Sequence, residues 1–246
     1  MLNPRAIERA TILTWPAAIT EEHEGWFYLA AGGVTGRVNA VWPIEYFGDD
    51  IEAAITHAER WYDAHKLPPR FKLTDGAYAP ADLPDRLAAR GYAPTMHTLI
   101  MTRALERSGQ THEGVALFES MPAAFDAALA ASTPDPSELD ERRSIAARAP
   151  SPAAFALIEE AATPIAVGMT ALAGPLAGVF LMRTTQAARR KGCARRILRA
   201  LVDRAAALGA TNAFLQVEAD NAPAVTLYER EGFAPLTSYR FWRKAG

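Results

Sequence analysis

The stretch TTQAARRKGCARRIL, residues 184–198, gathers five basic side chains around one glycine and the only cysteine of the chain. Crowded cations of this kind favour a partner with negative charge, namely a nucleic acid, a membrane surface or a nucleotide phosphate. The alternative is that the cluster faces only water. Within the stretch, Arg189, Gly192 and Ala194 form the pattern Arg-x-x-Gly-x-Ala. Gly192 and Ala194 are small, so a ligand could approach the backbone there without meeting a large side chain.

The elements around this pattern point to a phosphate site. The apolar run AGVFLMRTT precedes it, and a segment with helical periodicity follows it. The first turn of a helix leaves several backbone N–H groups without partners and carries the positive end of the helix dipole, which suits a phosphate or pyrophosphate. A solvated, arginine-rich helix start has the same local pattern. The chain contains neither GxxxxGK[ST] nor a strand followed by GxGxxG, so a P-loop or a dinucleotide fold is not expected.

Composition narrows the possible partners. The chain has 246 residues and a formal net charge of −2, with half of its residues hydrophobic. A general nucleic-acid binder would be basic overall, and no aromatic residues interleave with the basic cluster, so nucleic acid is not expected. No apolar run has the length of a membrane helix, and the five histidines lack metal-ligand spacing. We therefore expect neither a metal nor a membrane partner. The single cysteine and the absence of a signal-peptide pattern lead us to expect a cytoplasmic protein without a disulfide.

A second block about 30 residues later changes the interpretation of the first. It reads LQVEADNAPAVTLYEREGF and contains Asn-x-x-Ala-x-x-Leu-Tyr-x-x-x-Gly-Phe. Together with the Arg-x-x-Gly-x-Ala turn, in the same order and at the same spacing, it resembles the GNAT superfamily of acyl-CoA-dependent N-acyltransferases. The resemblance covers about residues 113 to 243. It implies an α/β (α+β) fold with a mixed, mostly antiparallel central sheet flanked by helices.

The resemblance also implies where acetyl-CoA would bind as co-substrate. The strand before the turn would hold the pantetheine arm through its backbone, and an amide near Leu181 would polarise the thioester carbonyl. The pyrophosphate would lie on the amides of the turn, and Asn221 would contact the cofactor arm. The residues implied in binding are Phe180, Leu181, Met182, Arg183, Arg189, Arg190, Lys191, Gly192, Cys193, Ala194, Arg195, Asn221 and Tyr228.

Two residues are candidates for proton transfer. Tyr228 matches the family tyrosine that often protonates the departing thiolate, and a phenol is a suitable acid for a thiolate when a hydrogen bond aligns it. Glu218, on the strand before Asn221, is the candidate general base. Some family members carry a glutamate two positions earlier, where this chain has Gln216, which cannot accept the proton. A surface or salt-bridged carboxylate remains the alternative for Glu218, and a packed aromatic remains the alternative for Tyr228.

Cys193 lies inside the phosphate turn. A cysteine at a helix start can have a lowered thiol pKa, so an acyl-cysteine intermediate is conceivable. The family usually transfers the acyl group directly to the amine, however, and accepts any small residue at this position. We therefore interpret Cys193 as a space-filling residue.

The halves of the chain show the same order of elements. The signature RLAARGYAP at 86–94 aligns with LYEREGFAP at 227–235, and each follows a strand and then a helix. We expect a degenerate GNAT-like N-terminal unit over residues 1–105 and an acetyltransferase domain over 106–246, with a polar linker at 102–114. The first unit lacks the phosphate turn and the tyrosine. We therefore expect it to bind no CoA, and either to shape the acceptor pocket, with candidates Trp26, Tyr28, Arg37, Asn39 and Trp42, or only to complete the core.

The resulting hypothesis is an N-acetyltransferase that moves acetyl from acetyl-CoA to a primary amine by direct attack. The acceptor would be an amine-bearing small molecule or peptide, and the protein a monomer or homodimer. The alternative is a catalytically inactive protein that binds or senses CoA, which the glutamine at 216 favours. Neither hypothesis identifies the acceptor.

Overall fold

A computed structural model describes residues 2–244 and forms one mixed sheet of eleven strands with helices on both faces. The strand order is β1-β2-β3-β4-β11-β5-β10-β9-β8-β7-β6. Only β3 with β4 and β9 with β10 run parallel; every other neighbouring pair of these strands is antiparallel. This confirms the predicted fold class. Within residues 2–244, no helix has the length and apolar character needed to cross a membrane.

The first half of the chain supplies three helices and five strands. Asn3 caps the first helix through its side chain, and Asp50 caps the second in the same way. The elements are α1 (Pro4–Thr14), β1 (Ile19–His23), β2 (Trp26–Ala30), β3 (Ala40–Trp42), α2 (Ile51–Ala64), β4 (Arg70–Thr74), α3 (Leu83–Ala89) and β5 (Tyr92–Ala104).

The second half follows the same order, but it begins with one more strand and has two helices before its three-stranded meander where the first half has one. The apolar runs AAFALIEE, TPIAVGMTAL and AGVFLMRTT predict a three-stranded meander, which is present: β7 pairs with β8 and β8 with β9, each antiparallel. The elements are β6 (Ala116–Phe118), α4 (Ala123–Ala131), α5 (Pro136–Arg148), β7 (Ala153–Glu160), β8 (Thr163–Ala173), β9 (Leu176–Thr184), α6 (Cys193–Ala207), β10 (Asn212–Glu218), α7 (Ala222–Arg230) and β11 (Ala234–Lys244).

The centre of the sheet is built by an exchange of strands between the two halves. β5, the last strand of the first half, lies between β10 and β11 of the second half. β11 in turn lies between β4 and β5. The sheet order is therefore symmetric about the β5–β11 pair, apart from the additional strand β6. Each half contributes its last strand to the other half, so the sheet is continuous across residue 105.

Alternating side chains divide the core between the two faces of the sheet. On one face, α1, α4 and α5 cover a cluster that includes Ile7, Trp15, Phe125 and Phe214. On the other face, α6 and α7 pack against a cluster that includes Ile197 and Tyr228, while α2 and α3 cover the strands of the first half. The two faces therefore present different side chains to any opening in the sheet.

The structure departs from the sequence interpretation in three places. The segment GRVNAVWPI, residues 36–44, has a pattern that predicts a strand, but it forms a short 3-10 turn at Gly36–Val38 followed by only three residues of β3. The polar segment 102–114 is not linker throughout, because its first three residues belong to β5. The sequence interpretation also did not include α1 and β1. β1 is exposed along its whole length, so it lacks the alternating apolar pattern that marks a half-buried strand.

Candidate functional site

The candidate site is a cavity where two parallel strands separate. β9 and β10 pair over only three positions, from Leu176–Asn212 to Gly178–Phe214. Beyond them the strands splay apart and leave a cavity of about 670 Å³. Its walls come from both halves of the chain: residues 34–37, Arg70, Thr95, Met96, Thr98, Glu138, Arg142, 179–183, 215–218, Asn221, Ala224, Tyr228, Tyr239, Phe241 and Arg243.

A β-bulge shapes the wall of the cavity on β9. Val167 pairs with Arg183 and Met169 with Phe180, so β9 carries one more residue than β8 over this stretch. Leu181 lies inside the bulge with a φ of 52°, in the left-handed region. A bulge interrupts the ladder and leaves the extra residue unpaired, so backbone polar groups become available at the cavity wall. The backbone of β9 can therefore offer hydrogen bonds to a ligand at this point.

Tyr228 reaches the cavity from α7. Its side chain is buried and packs against Phe233, with ring centroids 6.2 Å apart. Burial raises the pKa of the Tyr228 phenol, and the positive charge of Arg183 opposes that shift. The phenol therefore stays protonated at neutral pH and can donate a proton into the cavity.

Glu218 and Asn221 lie at the end of β10 and the start of α7. Glu218 is exposed and lines the cavity. The side-chain oxygen of Asn221 accepts a hydrogen bond from the Ala224 amide at 3.4 Å, so Asn221 caps α7. Asn221 therefore has a structural role that the sequence interpretation did not assign to it.

Gln216 is held by residues from the first half of the chain. Its amide nitrogen donates to Thr11 Oγ1 at 3.1 Å, and its amide oxygen accepts from Arg37 Nη1 at 3.4 Å. The Arg37 guanidinium also lies over the Trp15 ring, 5.6 Å from its centroid. α1, which the sequence interpretation missed, thus fixes two polar side chains at the cavity.

A carboxylate on α5 fixes the loop that carries Arg37. Glu141 is buried, and its two oxygens accept hydrogen bonds from the Val34 and Thr35 amides, at 3.3 and 2.5 Å. The same side chain accepts from Asn39 Nδ2 at 2.8 Å. This ties the loop of the first half to a helix of the second half and holds one wall of the cavity in place.

The turn at 189–194 lies outside this cavity. Gly192 has a φ of 79° and a Cβ added there would meet no atom within 4 Å, so the surface beside it is open. As N-cap of α6 it has no side chain to pair with the first helical amides. Arg189, Arg190, Lys191 and Arg195 are exposed, and Lys191 lies 3.8 Å from Glu160. The left-handed backbone conformation favours glycine here, and the space beside Gly192 is open.

Cys193 and Phe180 have buried side chains. Cys193 packs in the α6 cluster, which agrees with a space-filling residue. Phe180 stacks on Trp15 with centroids 4.9 Å apart, so only its backbone can serve a ligand. Met182, Arg183 and the half-buried Ala194 complete the positions inferred from the resemblance.

The structure brings together only part of the predicted set. Residues 180–183, Glu218, Asn221 and Tyr228 share the cavity, whereas the turn residues 189–195 do not line it. Of the acceptor-pocket candidates in the first half, only Arg37 lines the cavity. The others, Trp26, Tyr28, Asn39 and Trp42, are buried in the core, which corrects that expectation.

Several cavity residues carried no signal in the sequence. They are Arg70, Glu138, Arg142, Tyr239, Phe241 and Arg243. Each occurs in an ordinary strand or helix pattern, and only strand pairing and helix packing between distant segments bring them together. Within residues 2–244, no group of three or more His, Cys, Asp or Glu side chains is arranged to hold a metal ion.

Comparison with known proteins gives consistent matches over nearly the whole chain. Residues 3–242 match the family model described as "Probable histone acetyltransferase Rv0428c C-terminal". The chain is 26% identical over 244 residues to the "Uncharacterized N-acetyltransferase YobR" of Bacillus subtilis (strain 168), covering 96% of this chain and 97% of that protein. The structure resembles a "GCN5-related N-acetyltransferase from Kribbella flavida", with a TM-score of 0.75, 17% identity, and coverage of 100% of this chain and 97% of that one.

A second solved structure has a related architecture. It is a "Tandem GNAT protein from the clavulanic acid biosynthesis pathway (without AcCoA)", matched with a TM-score of 0.58 and 12% identity. The match covers 78% of this chain and 68% of that one. At this identity the likeness concerns the fold alone.

Proposed function

Because the chain belongs to the family described as "Probable histone acetyltransferase Rv0428c C-terminal" and is an N-acetyltransferase of the GNAT type, we propose that it transfers acetyl from acetyl-CoA to a primary amine by direct attack. One observation carries the proposal: the splayed strands, the Leu181 bulge and the Tyr228 phenol meet in one cavity. Acetyl-CoA supplies an activated acyl group on a thiol that can leave.

The residues of the chain fit the demands of that reaction. The backbone of β9 at the bulge donates to the thioester oxygen, which stabilises the negative charge that develops there. The open amides after Gly192 hold the pyrophosphate, because they lack helical partners and lie at the positive end of the α6 dipole. The arginines and the lysine of the turn neutralise the outer phosphates. If the chain is divided into units 1–105 and 106–246, all residues with these roles lie in the second unit.

Two residues carry the proton transfers of the reaction. Glu218 accepts the proton that the ammonium group of the acceptor must lose before its nitrogen attacks the carbonyl carbon. A carbon–nitrogen bond forms and the carbon–sulfur bond breaks. Tyr228 gives its proton to the departing thiolate, and its phenolate takes up the second proton that the attacking nitrogen must lose, so the products are an amide and free CoA. Gln216 cannot accept a proton, and its contacts with Thr11 and Arg37 give it a positioning role.

The test is acetyl-CoA-dependent thiol release across a broad panel of primary amines, combined with calorimetric titration of acetyl-CoA. We expect both binding and transfer. Binding without transfer to any amine in the panel would favour a CoA-sensing protein without catalytic activity. Absence of acetyl-CoA binding would contradict the assignment of the turn and the bulge.

A further inference from the structure

The cavity carries a large excess of positive charge. Five arginines line it, whereas only two carboxylates do, which leaves three formal positive charges unbalanced. The whole chain has a formal net charge of −2, so this concentration is local. The arginines are Arg37, Arg70, Arg142, Arg183 and Arg243, and the carboxylates are Glu138 and Glu218.

Two of the arginines are placed directly opposite each other. Arg70 on β4 and Arg243 on β11 are register partners of an antiparallel pair, so their side chains stand on the same face of the sheet. Like charges in this position repel, and burial together with Arg243 lowers the pKa of Arg70. Neither guanidinium forms an ion pair with any residue in 2–244. An oxyanion between them would relieve the repulsion and use the planar donors that suit carboxylate and phosphate.

Neighbouring contacts hold three of the five arginines, Arg70, Arg142 and Arg37, in place. The Arg70 guanidinium lies 5.8 Å from the centroid of the Phe241 ring. A Cβ added at Gly36 would lie 2.7 Å from that same ring and 3.2 Å from Arg70 Nη1, so the 36–38 turn packs closely against both. Arg142 is paired with Glu138, and Arg37 is held by Gln216 and Trp15. Such preorganised cations lose little conformational entropy when an anion binds.

The position of the pair separates it from the expected phosphate site. Arg70 and Arg243 stand on the face covered by α1 and α5, together with Lys72 and Phe241. The turn at 189–194 and Tyr228 belong to α6 and α7, which cover the opposite face. The anion that these arginines suit is therefore on the acceptor side of the splayed strands.

We propose that the acceptor is an amine that also carries an oxyanion, a carboxylate or a phosphate ester, which Arg70 and Arg243 bind while the amine faces Glu218. The inference rests on the proposed function and names its substrate class. A lysine-rich peptide would bring more positive charge against the same surface, so such a peptide is a poor acceptor for this cavity.

The test compares matched amines and matched variants. The amine pairs are phenylalanine with phenethylamine and methionine with 3-(methylthio)propylamine, which differ only in the carboxylate; phosphoethanolamine with ethanolamine distinguishes a phosphate ester from a carboxylate. In the wild type we expect the anionic member of at least one pair to have the higher kcat/KM. Arg70→Gln and Arg243→Gln raise the KM of that member by at least about tenfold, the loss of one charge-assisted hydrogen bond, and leave the KM of its neutral partner unchanged.

Arg240→Gln is the control, since Arg240 is exposed on β11 and points to the opposite face from Arg243. A wild type that acetylates the neutral amines at least as well as the anionic ones overturns the inference while leaving the proposed function intact.

If no amine is acetylated, the binding of inorganic phosphate tests the inference instead. With CoA present at saturating concentration, phosphate should raise the Tm of the wild type and of Arg240→Gln, and should raise it clearly less in Arg70→Gln and Arg243→Gln. Equal shifts in all four proteins overturn the inference.

Discussion

Lys72 and Glu8 form a buried ion pair beside the cavity, with Lys72 Nζ 2.5 Å from Glu8 Oε2 and both side chains shielded from solvent. The ammonium group also donates to Thr74 Oγ1 at 3.0 Å and lies 3.8 and 3.9 Å from the ring centroids of Trp42 and Tyr239. The pair joins α1 to β4, next to the part of the cavity wall that contains Gln216 and Arg37. Desolvation of two charges opposes their attraction, so breaking the pair and replacing it have different consequences.

We expect Lys72→Met to lower the free energy of unfolding by about 3 kcal/mol or more, because it leaves a buried carboxylate without its partner. The double variant Glu8→Leu with Lys72→Met should recover most of that loss, since it removes both charges. Urea unfolding followed by circular dichroism measures the three values. Arg9 lies on the same helix as Glu8 and forms an exposed ion pair with Glu45. Arg9→Met should therefore lower the free energy of unfolding by less than about 1 kcal/mol. A double variant as unstable as the single one would contradict this account.

The Lys72–Glu8 pair also predicts that the free energy of unfolding depends on pH. Burial lowers the pKa of Lys72 from 10.5 to about 8, with Glu8 opposing the shift. Between these pH values the unfolded chain binds more protons at this residue than the native chain does, so its contribution to stability rises with pH. We expect the unfolding free energy of the wild type to increase relative to the double variant from about pH 8 upward, by at most about 1.4 kcal/mol per pH unit. A constant difference between pH 7 and pH 10 would show that Lys72 titrates alike in both states.

Tyr228→Phe tests the general acid. It removes only a hydroxyl from a buried ring, so the fold and the acetyl-CoA site should persist. We expect kcat to fall at least about tenfold, with the KM for acetyl-CoA nearly unchanged, because proton donation matters only as the thiolate leaves. Steady-state thiol release provides both constants. The matched control is Tyr78→Phe, a half-buried tyrosine outside the cavity; an undiminished kcat in Tyr228→Phe would remove the acid assignment.

Gly192→Ala tests the phosphate turn, with Gly209→Ala as its control. Both glycines have left-handed φ values, 79° and 100°, both have open space around them, and they stand at opposite ends of α6. Each substitution should therefore cost about 1 kcal/mol of stability through backbone strain. Only Gly192→Ala should weaken acetyl-CoA binding in calorimetry, because it disturbs the amides at the start of the helix. Equal affinities in the two variants would argue against pyrophosphate binding at this turn.

The strand exchange predicts that the second half does not fold alone. Residues 106–246 lack β5, so the facing edges of β10 and β11 would be left unpaired. We expect this fragment to be aggregated or unfolded when expressed by itself, and residues 1–105 supplied in trans to increase its soluble yield. Circular dichroism and size-exclusion chromatography provide the measurement. A stable monomeric fragment with cooperative unfolding would mean that each half is an independent folding unit.

Local sequence patterns were sufficient for much of the fold. The periodic apolar residues of α2 and α6, the glycine that opens α6, and the apolar runs of the β7–β9 meander depend on neighbouring residues, so they can be recognised without coordinates. The same is true of the two motifs that resemble the GNAT superfamily. Their order and spacing along the chain identified the fold class and made Leu181, Gly192 and Tyr228 candidates for the site.

Tertiary structure alone decided which side chains line the cavity together. Arg70 and Arg243 are separated by more than half of the chain; Arg70 begins one ordinary strand pattern and Arg243 lies near the end of another. They meet because β11 crosses into the first half and pairs with β4. Gln216 likewise meets Thr11 only because α1 packs on the same face of the sheet. The physical reason is that strand exchange and face-to-face packing depend on contacts between distant segments, which local periodicity and motif spacing do not encode.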